Sequence, residues 1–234
     1  MMNMDIIVVA DLFIEDLLGG AELHDDVIVK YFIGNNRLFS KKRCVELTED
    51  FIMQNRDKKW FIANFSSLSI DKKALLSKYC RYIIYEHDYK FVDSRNPISY
   101  PDFLVPHQNI VNVNFYSQAK KVVCLSKMHR EIFEKNLKLN NYENFNCSMW
   151  NDEQLKLLEK YGNNLKNTKY AIIKSDNPLK KTRETVKYCQ NNNIEYDLIS
   201  SKNYEEFIKI LSRYKGLVFL TGHPEPTPRI AIES

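Results

Sequence analysis

The fold is decided by the segment Ile6-Ile7-Val8-Val9-Ala10, together with the later pair Gly19-Gly20 and a helical pattern over residues 21–31. Five consecutive apolar residues are typical of a strand covered on both faces, because a strand with one exposed face alternates apolar and polar residues. A buried strand followed by a turn and a helix begins the β-α-β unit that connects parallel strands. The sequence therefore predicts an α/β fold.

The alternation of strands and helices continues along the chain with one interruption, the polar and asparagine-rich residues 161–168. Before it, strands are predicted at residues 60–63, 82–85 and 121–125, and helices at 71–80 and 127–136. After it, strands are predicted at residues 170–173, 196–199 and 217–220, and helices at 182–191 and 204–213. We therefore expect two Rossmann-like domains, residues 1–165 and 166–234. The second is expected to be incomplete because it has only three strands.

The composition limits the class of protein. The chain has 234 residues, of which 44% are hydrophobic and 27% charged, as in ordinary globular proteins. Because 34 basic residues stand against 30 acidic ones, the charge does not indicate a nucleic-acid partner, and we expect none. No apolar run approaches the ~20 residues of a membrane span, and no basic segment precedes the first strand, so we expect a cytoplasmic protein.

The spacing of cysteine and histidine does not suggest a metal site. The five cysteines are far apart and include no C-x-x-C pair, and the five histidines form no H-E-x-x-H pattern. Zinc sites and disulfide-rich domains use closer or more regular spacings. We therefore expect reduced thiols and no bound metal.

The strongest functional signal is the segment of residues 223–233, in which Glu225 and Glu233 are separated by seven residues. The segment comes after a predicted strand, and open α/β sheets bind ligands at the carboxyl ends of their strands. A carboxylate there can accept hydrogen bonds from the hydroxyl groups of a sugar. On spacing alone, a sugar site and a proline-rich turn with an unrelated surface glutamate are equally open.

Glu225 and Glu233 resemble the E-x7-E motif of GT-B glycosyltransferases, in particular the retaining enzymes of family 4. The segment containing Gly19, Gly20 and Glu22 is similar to the glycine-rich loop after the first strand of that family's acceptor domain. Both motifs stand in the family's order along the chain. The pair of glutamates and the glycine-rich loop therefore point to the same family.

A third motif agrees with this resemblance. Lys174 and Lys180 are similar to the pair of basic residues, usually arginine and lysine six apart, after the first strand of the donor domain. Three positions depart from the family pattern. Lys174 stands where arginine is usual and loses bidentate geometry towards phosphate, Lys181 replaces a glycine, and Pro228 has no N–H to offer a ligand.

The resemblance implies a GT-B protein whose two domains face a cleft. It implies a hexosyltransferase-like enzyme that moves a sugar from a nucleotide-sugar donor to an acceptor, with retention and without metal or cofactor. The acceptor, a glycan, a lipid or another molecule, is not specified. The implied catalytic residues are Glu225 and His87, facing the transferred sugar, and the implied donor-binding residues are Gly19, Gly20, Lys174, Lys180 and Glu233. Within this set, the lysines neutralise the diphosphate, Glu233 holds the ribose, and Gly20 allows close approach of the backbone.

Other functions remain open from the sequence. The chain could be a non-catalytic, truncated or degenerate nucleotide-sugar-binding module. A dinucleotide-dependent oxidoreductase ranks lower, because Gly19-Gly20 is not followed by the third glycine of G-x-G-x-x-G. Arg95 could bind an acceptor anion, although a structural turn is favoured. Ser126 and His129 could form a nucleophile and base, although a helix cap at Ser126 is favoured because no G-x-S-x-G motif surrounds it.

The last predicted element is a helix that starts at Arg229. Its apolar residues Ile230, Ala231 and Ile232 have nothing later in the sequence to pack against, so we expect a truncated donor domain. An exposed apolar face tends to recruit a partner or to fray. Self-association or fraying through this end is therefore expected, and so is slow turnover by the 234-residue form.

Overall fold

The computed structural model describes residues 5–234 and divides the chain into two compact units, unit 1 (Met1–Ser148) and unit 2 (Met149–Ser234). Each unit has its own parallel sheet with helices between the strands. The α/β prediction is confirmed, and each sheet has the general character of a Rossmann-like fold.

Unit 1 contains a six-stranded sheet in the order β2-β1-β3-β4-β5-β6, with all neighbouring pairs parallel. The strands are β1 Ile6–Ala10, β2 Leu38–Arg43, β3 Lys59–Ile62, β4 Arg81–Tyr85, β5 Val122–Cys124 and β6 Tyr142–Asn144. The chain moves outwards from β1 to β2 and then crosses back to β3 on the other side. This reversal creates a crevice at the carboxyl ends of β1 and β3, where open sheets of this type bind ligands.

The helices of unit 1 are α1 Gly20–Gly34, α2 Glu49–Gln54, α3 Ile70–Tyr79, α4 Val113–Gln118 and α5 Lys127–Leu137. Four short 3-10 turns cover Cys44–Glu46, Pro97–Ser99, Pro101–Phe103 and His107–Asn109. The hydroxyl of Ser126 accepts the backbone N–H of His129 and caps α5, as predicted. Helix α3 is capped by Ser69 and begins one residue earlier than the prediction from Asp71.

The predicted strands of unit 1 are all present, but two further strands were missed. These are β2 and β6, the two edge strands of the sheet. Strand β2 has the sequence Leu38-Phe39-Ser40-Lys41-Lys42-Arg43, and none of its residues is fully buried. Polar and charged residues are usual on edge strands, where they discourage pairing with other chains. Neither edge strand therefore has the apolar run that identifies a central strand.

Unit 2 contains a three-stranded parallel sheet in the order β8-β7-β9. Its strands are β7 Tyr170–Ile173, β8 Tyr196–Ile199 and β9 Gly216–Leu217. Its helices are α6 Asp152–Gly162, α7 Thr182–Asn191, α8 Tyr204–Leu211 and α9 Arg229–Glu233. A 3-10 turn covers Pro178–Lys180. Strand β9 is shorter than the predicted strand over residues 217–220. Across residues 5–234, no helix is long and apolar enough to cross a membrane.

Helix α6 belongs to unit 2, although the predicted domain boundary at residue 166 would assign it to the first domain. It packs against α8, and the side chains of Lys160 and Tyr161 both donate hydrogen bonds to Glu205, at 3.0 and 2.9 Å. The sequence 161–168 is polar, but α6 continues into its first residues. The contacts that assign α6 come from α8, more than forty positions later, and leave no local signal in the sequence.

A buried ion network lies just after β4. The ammonium of Lys90 lies 2.6 Å from Glu86 and 2.9 Å from Asp88, and the Lys90 side chain is 2% exposed. The hydroxyl of Tyr116 donates to the second oxygen of Glu86 at 2.5 Å, and Arg95 pairs with Asp88. Burial raises the pKa of Glu86. At Asp88 burial also acts to raise the pKa, but the charges of Lys90 and Arg95 outweigh it and hold the pKa below its usual range. The network fixes the segment that leaves the sheet after β4.

The first prediction concerns Lys90. Lys90→Met should destabilise unit 1 by ~3–5 kcal/mol, because it leaves the buried carboxyl group of Glu86 without its cation and Asp88 with Arg95 alone. The free energy of opening, measured by native-state hydrogen exchange of the β4 amides, reports this change. The matched control is Lys30→Met, which removes a half-exposed lysine paired with Asp26 at 3.0 Å and should cost less than ~0.5 kcal/mol. Equal effects of the two substitutions would contradict the role of the network.

Candidate functional site

The carboxyl edge of the unit 1 sheet collects polar side chains at the end of each central strand. Asp11 stands directly after β1, and its carboxylate accepts the backbone N–H groups of Ser66 and Ser67 at 2.8 and 2.9 Å. This ties the end of β1 to the loop after β3. Asn64, just after β3, is buried, and its amide oxygen has no hydrogen-bond partner among residues 5–234. The edge where the strand order reverses is therefore polar and well ordered.

The two glycines before α1 have different surroundings. A Cβ atom on Gly19 would lie 2.3 Å from Oε2 of Glu22, whose side chain is buried over the glycine. A Cβ atom on Gly20 would have nothing within 4 Å. Gly19 therefore makes room for a carboxylate of its own chain, whereas the space beside Gly20 is open. The donor-binding role predicted for both glycines stays a prediction.

His87 lies in a cluster of polar residues rather than in an isolated loop. Its Nε2 atom is 2.8 Å from Oδ1 of Asp25, and Asp25 is fully buried in α1. The rings of Tyr85 and His24 lie 5.1 and 5.8 Å from the His87 ring, between centroids. Burial and the neighbouring charge of Asp25 raise the pKa of Glu22, which lies one turn before Asp25 in α1. The cluster therefore combines an imidazole with two buried carboxyl groups.

Asp25 was not predicted from the sequence. Four consecutive residues of α1, Glu22-Leu23-His24-Asp25, are buried, and three of them are polar. A helix that only packs against a sheet buries one apolar face, so a buried polar run in its first turns is unusual. That run is a signal of a polar site, but it becomes visible only once the burial of α1 is known.

Arg95, Ser126 and His129 have structural roles. Arg95 pairs with Asp88 and adopts a positive φ of 57°, in agreement with the favoured interpretation as a turn residue. His129 accepts the N–H of Leu125 at Nδ1, at 3.2 Å, and its Nε2 lies 2.7 Å from the backbone oxygen of Asp88. Burial lowers the pKa of His129 to about 4. Both ring nitrogens are engaged by backbone groups, and Ser126 caps a helix, so these two residues do not form a nucleophile and base.

In unit 2, Lys180 and Glu225 form a close ion pair. The ammonium of Lys180 lies 2.7 Å from Oε1 of Glu225, and Nε2 of His223 lies 3.7 Å from the same oxygen. The backbone N–H of Gly222 donates to the oxygen of Leu179 at 2.8 Å, and a Cβ atom on Gly222 would lie 3.2 Å from that oxygen. A glycine is therefore needed for the close approach that brings the loop of Glu225 to the turn of Lys180.

Lys174 lies at the same edge of the unit 2 sheet. It comes directly after β7, and its side chain is exposed. The two lysines predicted to bind a diphosphate thus both stand at the carboxyl end of the sheet, one at the end of β7 and one in the next 3-10 turn. The structure brings Lys180 together with Glu225, and the roles predicted for the two residues towards a donor stay predictions.

Glu233 is held by side chains of its own unit. Its Oε1 atom accepts hydrogen bonds from the indole of Trp150 and the hydroxyl of Tyr204, both at 2.8 Å, and from Arg229 at 3.2 Å. The guanidinium of Arg229 is buried, lies 4.9 Å from the centroid of the Trp150 ring and donates to the backbone oxygen of Met149. These contacts attach α9 to the start of α6 and to α8. A ribose could use only the remaining oxygen of Glu233.

The end of the chain is better packed than expected. Ile230 packs against the core of unit 2, which includes Ala171, Ile199 and Leu211. Ala231 and Ile232 are exposed. The expected uncovered apolar face is therefore wrong for Ile230, which packs on residues of the earlier elements β7, β8 and α8, and agrees with the exposure of Ala231 and Ile232. The predicted self-association through this end stays untested.

No family model matches this sequence, and no curated protein matches it significantly. The resemblance to family 4 glycosyltransferases therefore depends on the three motifs and on where the fold places their residues.

The glycines before α1 give the second prediction. Gly19→Ala should destabilise unit 1 by ~1 kcal/mol, because its methyl group forces the end of the buried Glu22 side chain to move. Gly20→Ala should be neutral or stabilise it by up to ~1 kcal/mol, because the space is open and alanine favours the helix. Hydrogen exchange of the β1 amides gives both values. Gly34→Ala, at the other end of α1 and equally open, is the control for the propensity effect. The same response at positions 19 and 20 would contradict this account.

His129 gives the third prediction, a pH dependence of stability. The unfolded chain protonates histidine near its ordinary pKa of about 6.5, whereas the folded chain holds His129 neutral down to about 4. The stabilisation that results from this pKa difference is therefore complete above pH 6.5. As the pH falls towards 4, the free energy of unfolding decreases by ~3 kcal/mol in total. In His129→Asn, the difference in proton uptake over this window should disappear, as measured by the pH dependence of the opening free energy. An unchanged slope would contradict the assignment.

Proposed function

We propose that this chain is a glycosyltransferase of the GT-B class, in which two Rossmann-like domains face a cleft, and that it uses a nucleotide-sugar donor. The observation that carries the proposal is the pair formed by Lys180 and Glu225 at the carboxyl edge of the unit 2 sheet. The chemistry of this pair matches the part of the donor where the sugar joins the diphosphate.

The pair offers hydrogen-bond donors and acceptors side by side. An ammonium has three N–H donors, and Lys180 gives one of them to Glu225 while its side chain remains 37% exposed. Glu225 keeps further acceptor sites on its carboxylate. In a nucleotide sugar, phosphate oxygens that need donors stand next to sugar hydroxyls that need acceptors. Lys174, exposed at the same edge, adds a second positive charge for the diphosphate.

Charge stabilisation is the expected catalytic contribution of the two lysines. The bond between the sugar and the diphosphate breaks with its electron pair moving to the diphosphate, so negative charge grows on the leaving group. Cations fixed beside that group stabilise the transition state more than the ground state. By the resemblance to family 4, we propose transfer with retention and without metal, with Glu225 and His87 near the transferred sugar.

One observation favours a second candidate, a nucleotide-sugar-binding module without catalytic activity. The sheet of unit 2 has only three strands, of which β9 has two residues. A site built on so small a sheet excludes water less well, and charge stabilisation is weaker where the dielectric constant is high. The two candidates share the donor site and differ only in whether the sugar is released.

The fourth prediction tests the donor site. In calorimetric titrations with UDP, GDP and ADP, one nucleoside diphosphate should bind, and Lys180→Met should weaken its binding by ~1.5–3 kcal/mol, because charge-assisted hydrogen bonds to phosphate are lost. Glu225→Gln should leave that affinity within about twofold and weaken the corresponding nucleotide sugar. The control is Lys169→Met, which removes a lysine of similar exposure, paired with Asp197 at 3.0 Å, next to the opposite end of β7.

The outcomes separate the candidates. Binding together with release of the nucleoside diphosphate from the nucleotide sugar supports the transferase, and the anomeric configuration of the product tests retention. Binding without release supports the module. If none of the nucleoside diphosphates or their sugars binds to the wild-type chain, the proposal is wrong.

A further inference from the structure

We propose that Asp25 is a positioning residue that holds His87 as the Nε2–H tautomer, so that Nδ1 of His87 is the atom that accepts a hydrogen bond from a ligand hydroxyl. The tautomer itself is independent of the proposed function. The identity of the hydroxyl as that of a sugar or acceptor substrate rests on that proposed function.

The geometry defines which nitrogen faces Asp25. The distance from Nε2 of His87 to Oδ1 of Asp25 is 2.8 Å, the length of a good hydrogen bond, and the exposed fractions of the two side chains are 6% and 0%. An ionised carboxylate can only accept, so a neutral imidazole at this distance must carry its proton on Nε2. The other nitrogen, Nδ1, then has a lone pair. The same reasoning explains how a buried aspartate orients the histidine of a catalytic triad.

The backbone elements hold the pair rigidly. Asp25 lies in the second turn of α1, within a run of buried residues, and His87 lies two residues after β4. The residues on either side of His87, Glu86 and Asp88, are both bound to the buried ammonium of Lys90. Neither end of the hydrogen bond can therefore move without disturbing a packed element. Such support is what an orienting residue needs to be effective.

The surroundings of the pair suggest a ligand rather than a closed core. The second oxygen of Asp25 and the hydroxyl of Tyr85 are both buried and have no hydrogen-bond partner among residues 5–234. Burial and the nearby charge of Asp25 raise the pKa of Tyr85, so its hydroxyl stays a donor. Buried polar atoms in a folded core are nearly always satisfied. Two unsatisfied atoms beside an oriented histidine indicate a place where a hydroxylated ligand or water completes the hydrogen bonds.

Other charged and titratable groups also face the histidine. Glu22 and His24 come from α1, Tyr85 comes from β4, and His129 comes from α5. The rings of His24 and Tyr85 pack against the His87 ring, whereas Asp25 lies at hydrogen-bond distance from it, at 2.8 Å. A purely steric role for this position would be met equally well by asparagine, which has the same shape. The charge and acceptor character of aspartate are what the tautomer requires.

The first experiment measures the tautomer directly. The ¹⁵N and ¹H shifts of the His87 ring are recorded in the full wild-type chain at pH 7, with assignment from His87→Asn. We expect a single protonated ring nitrogen, Nε2, whose proton exchanges slowly with solvent. In Asp25→Asn, the amide can donate or accept, so we expect a mixture of tautomers. Asp26→Asn, the same change one position later, should leave the spectrum unchanged.

Three results would overturn the proposal. These are a wild-type ring protonated on Nδ1, a ring protonated on both nitrogens at pH 7, and a wild-type tautomer that persists in Asp25→Asn. Unchanged hydrogen exchange of the β4 amides in Asp25→Asn shows that the variant is folded. If Asp25→Asn does not fold, the wild-type spectrum alone still decides between the tautomers.

The second experiment connects the tautomer to turnover of the nucleotide sugar. Asp25→Asn should lower turnover by roughly 100-fold, a size typical of a misplaced hydrogen-bonding group, and should leave nucleoside diphosphate affinity within about twofold. In a His87→Asn background, Asp25→Asn should have no further effect, because Asp25 acts only through His87. An additive effect would contradict the positioning role. A wild-type chain that binds no donor would contradict the proposed function, whereas the tautomer would still be decided by its spectrum.

Discussion

The ammonium of Lys90 holds the segment that leaves the central strand β4, and most of the candidate site in unit 1 depends on it. It attracts the carboxylates of Glu86 and Asp88, which stand on either side of His87. The chain bends at His87 and Asp88, where the backbone N–H of Asp88 donates to Glu86 at 3.1 Å, and Lys90 holds both carboxylates of this bend while the histidine reaches α1. There it meets Asp25 of α1. The ion network and the candidate site therefore share one short segment, residues 86–90.

Much of the fold could be predicted from the sequence, because the central strands are buried on both faces and therefore have continuous apolar runs. The edge strands β2 and β6 could not, because only pairing with a neighbouring strand defines them. The assignment of α6 to unit 2 depends on its contacts with α8, which no local pattern encodes. The prediction for β9 was wrong in the opposite direction. The apolar run over residues 217–220 is longer than the segment that pairs with β7, which is Gly216–Leu217.

The residues of the candidate site also divide into those that the sequence could indicate and those that it could not. His87, Lys180 and Glu225 were selected through the resemblance to family 4 motifs, and all three lie on the carboxyl side of predicted strands, where parallel sheets bind ligands. Asp25 could not be selected, since its role depends on how α1 faces β4. The surroundings of Gly19 were also hidden, because its neighbour is a glutamate that folds back from the helix. Glu233 was selected as an important carboxylate, and its observed partners are Trp150, Tyr204 and Arg229.

The position of the two tryptophans has a practical consequence, because each unit contains one. Trp60 is buried in β3 of unit 1, with the ring of Phe51 packed edge-on against it. Trp150 of unit 2 has polar surroundings. Its indole N–H donates to the carboxylate of Glu233, and the guanidinium of Arg229 lies over its ring. An indole beside fixed charges and an indole in an apolar core experience different electric fields. We therefore expect the two tryptophans to fluoresce at different wavelengths. Trp60 then reports on the sheet of unit 1, and Trp150 reports on the attachment of α9 in unit 2.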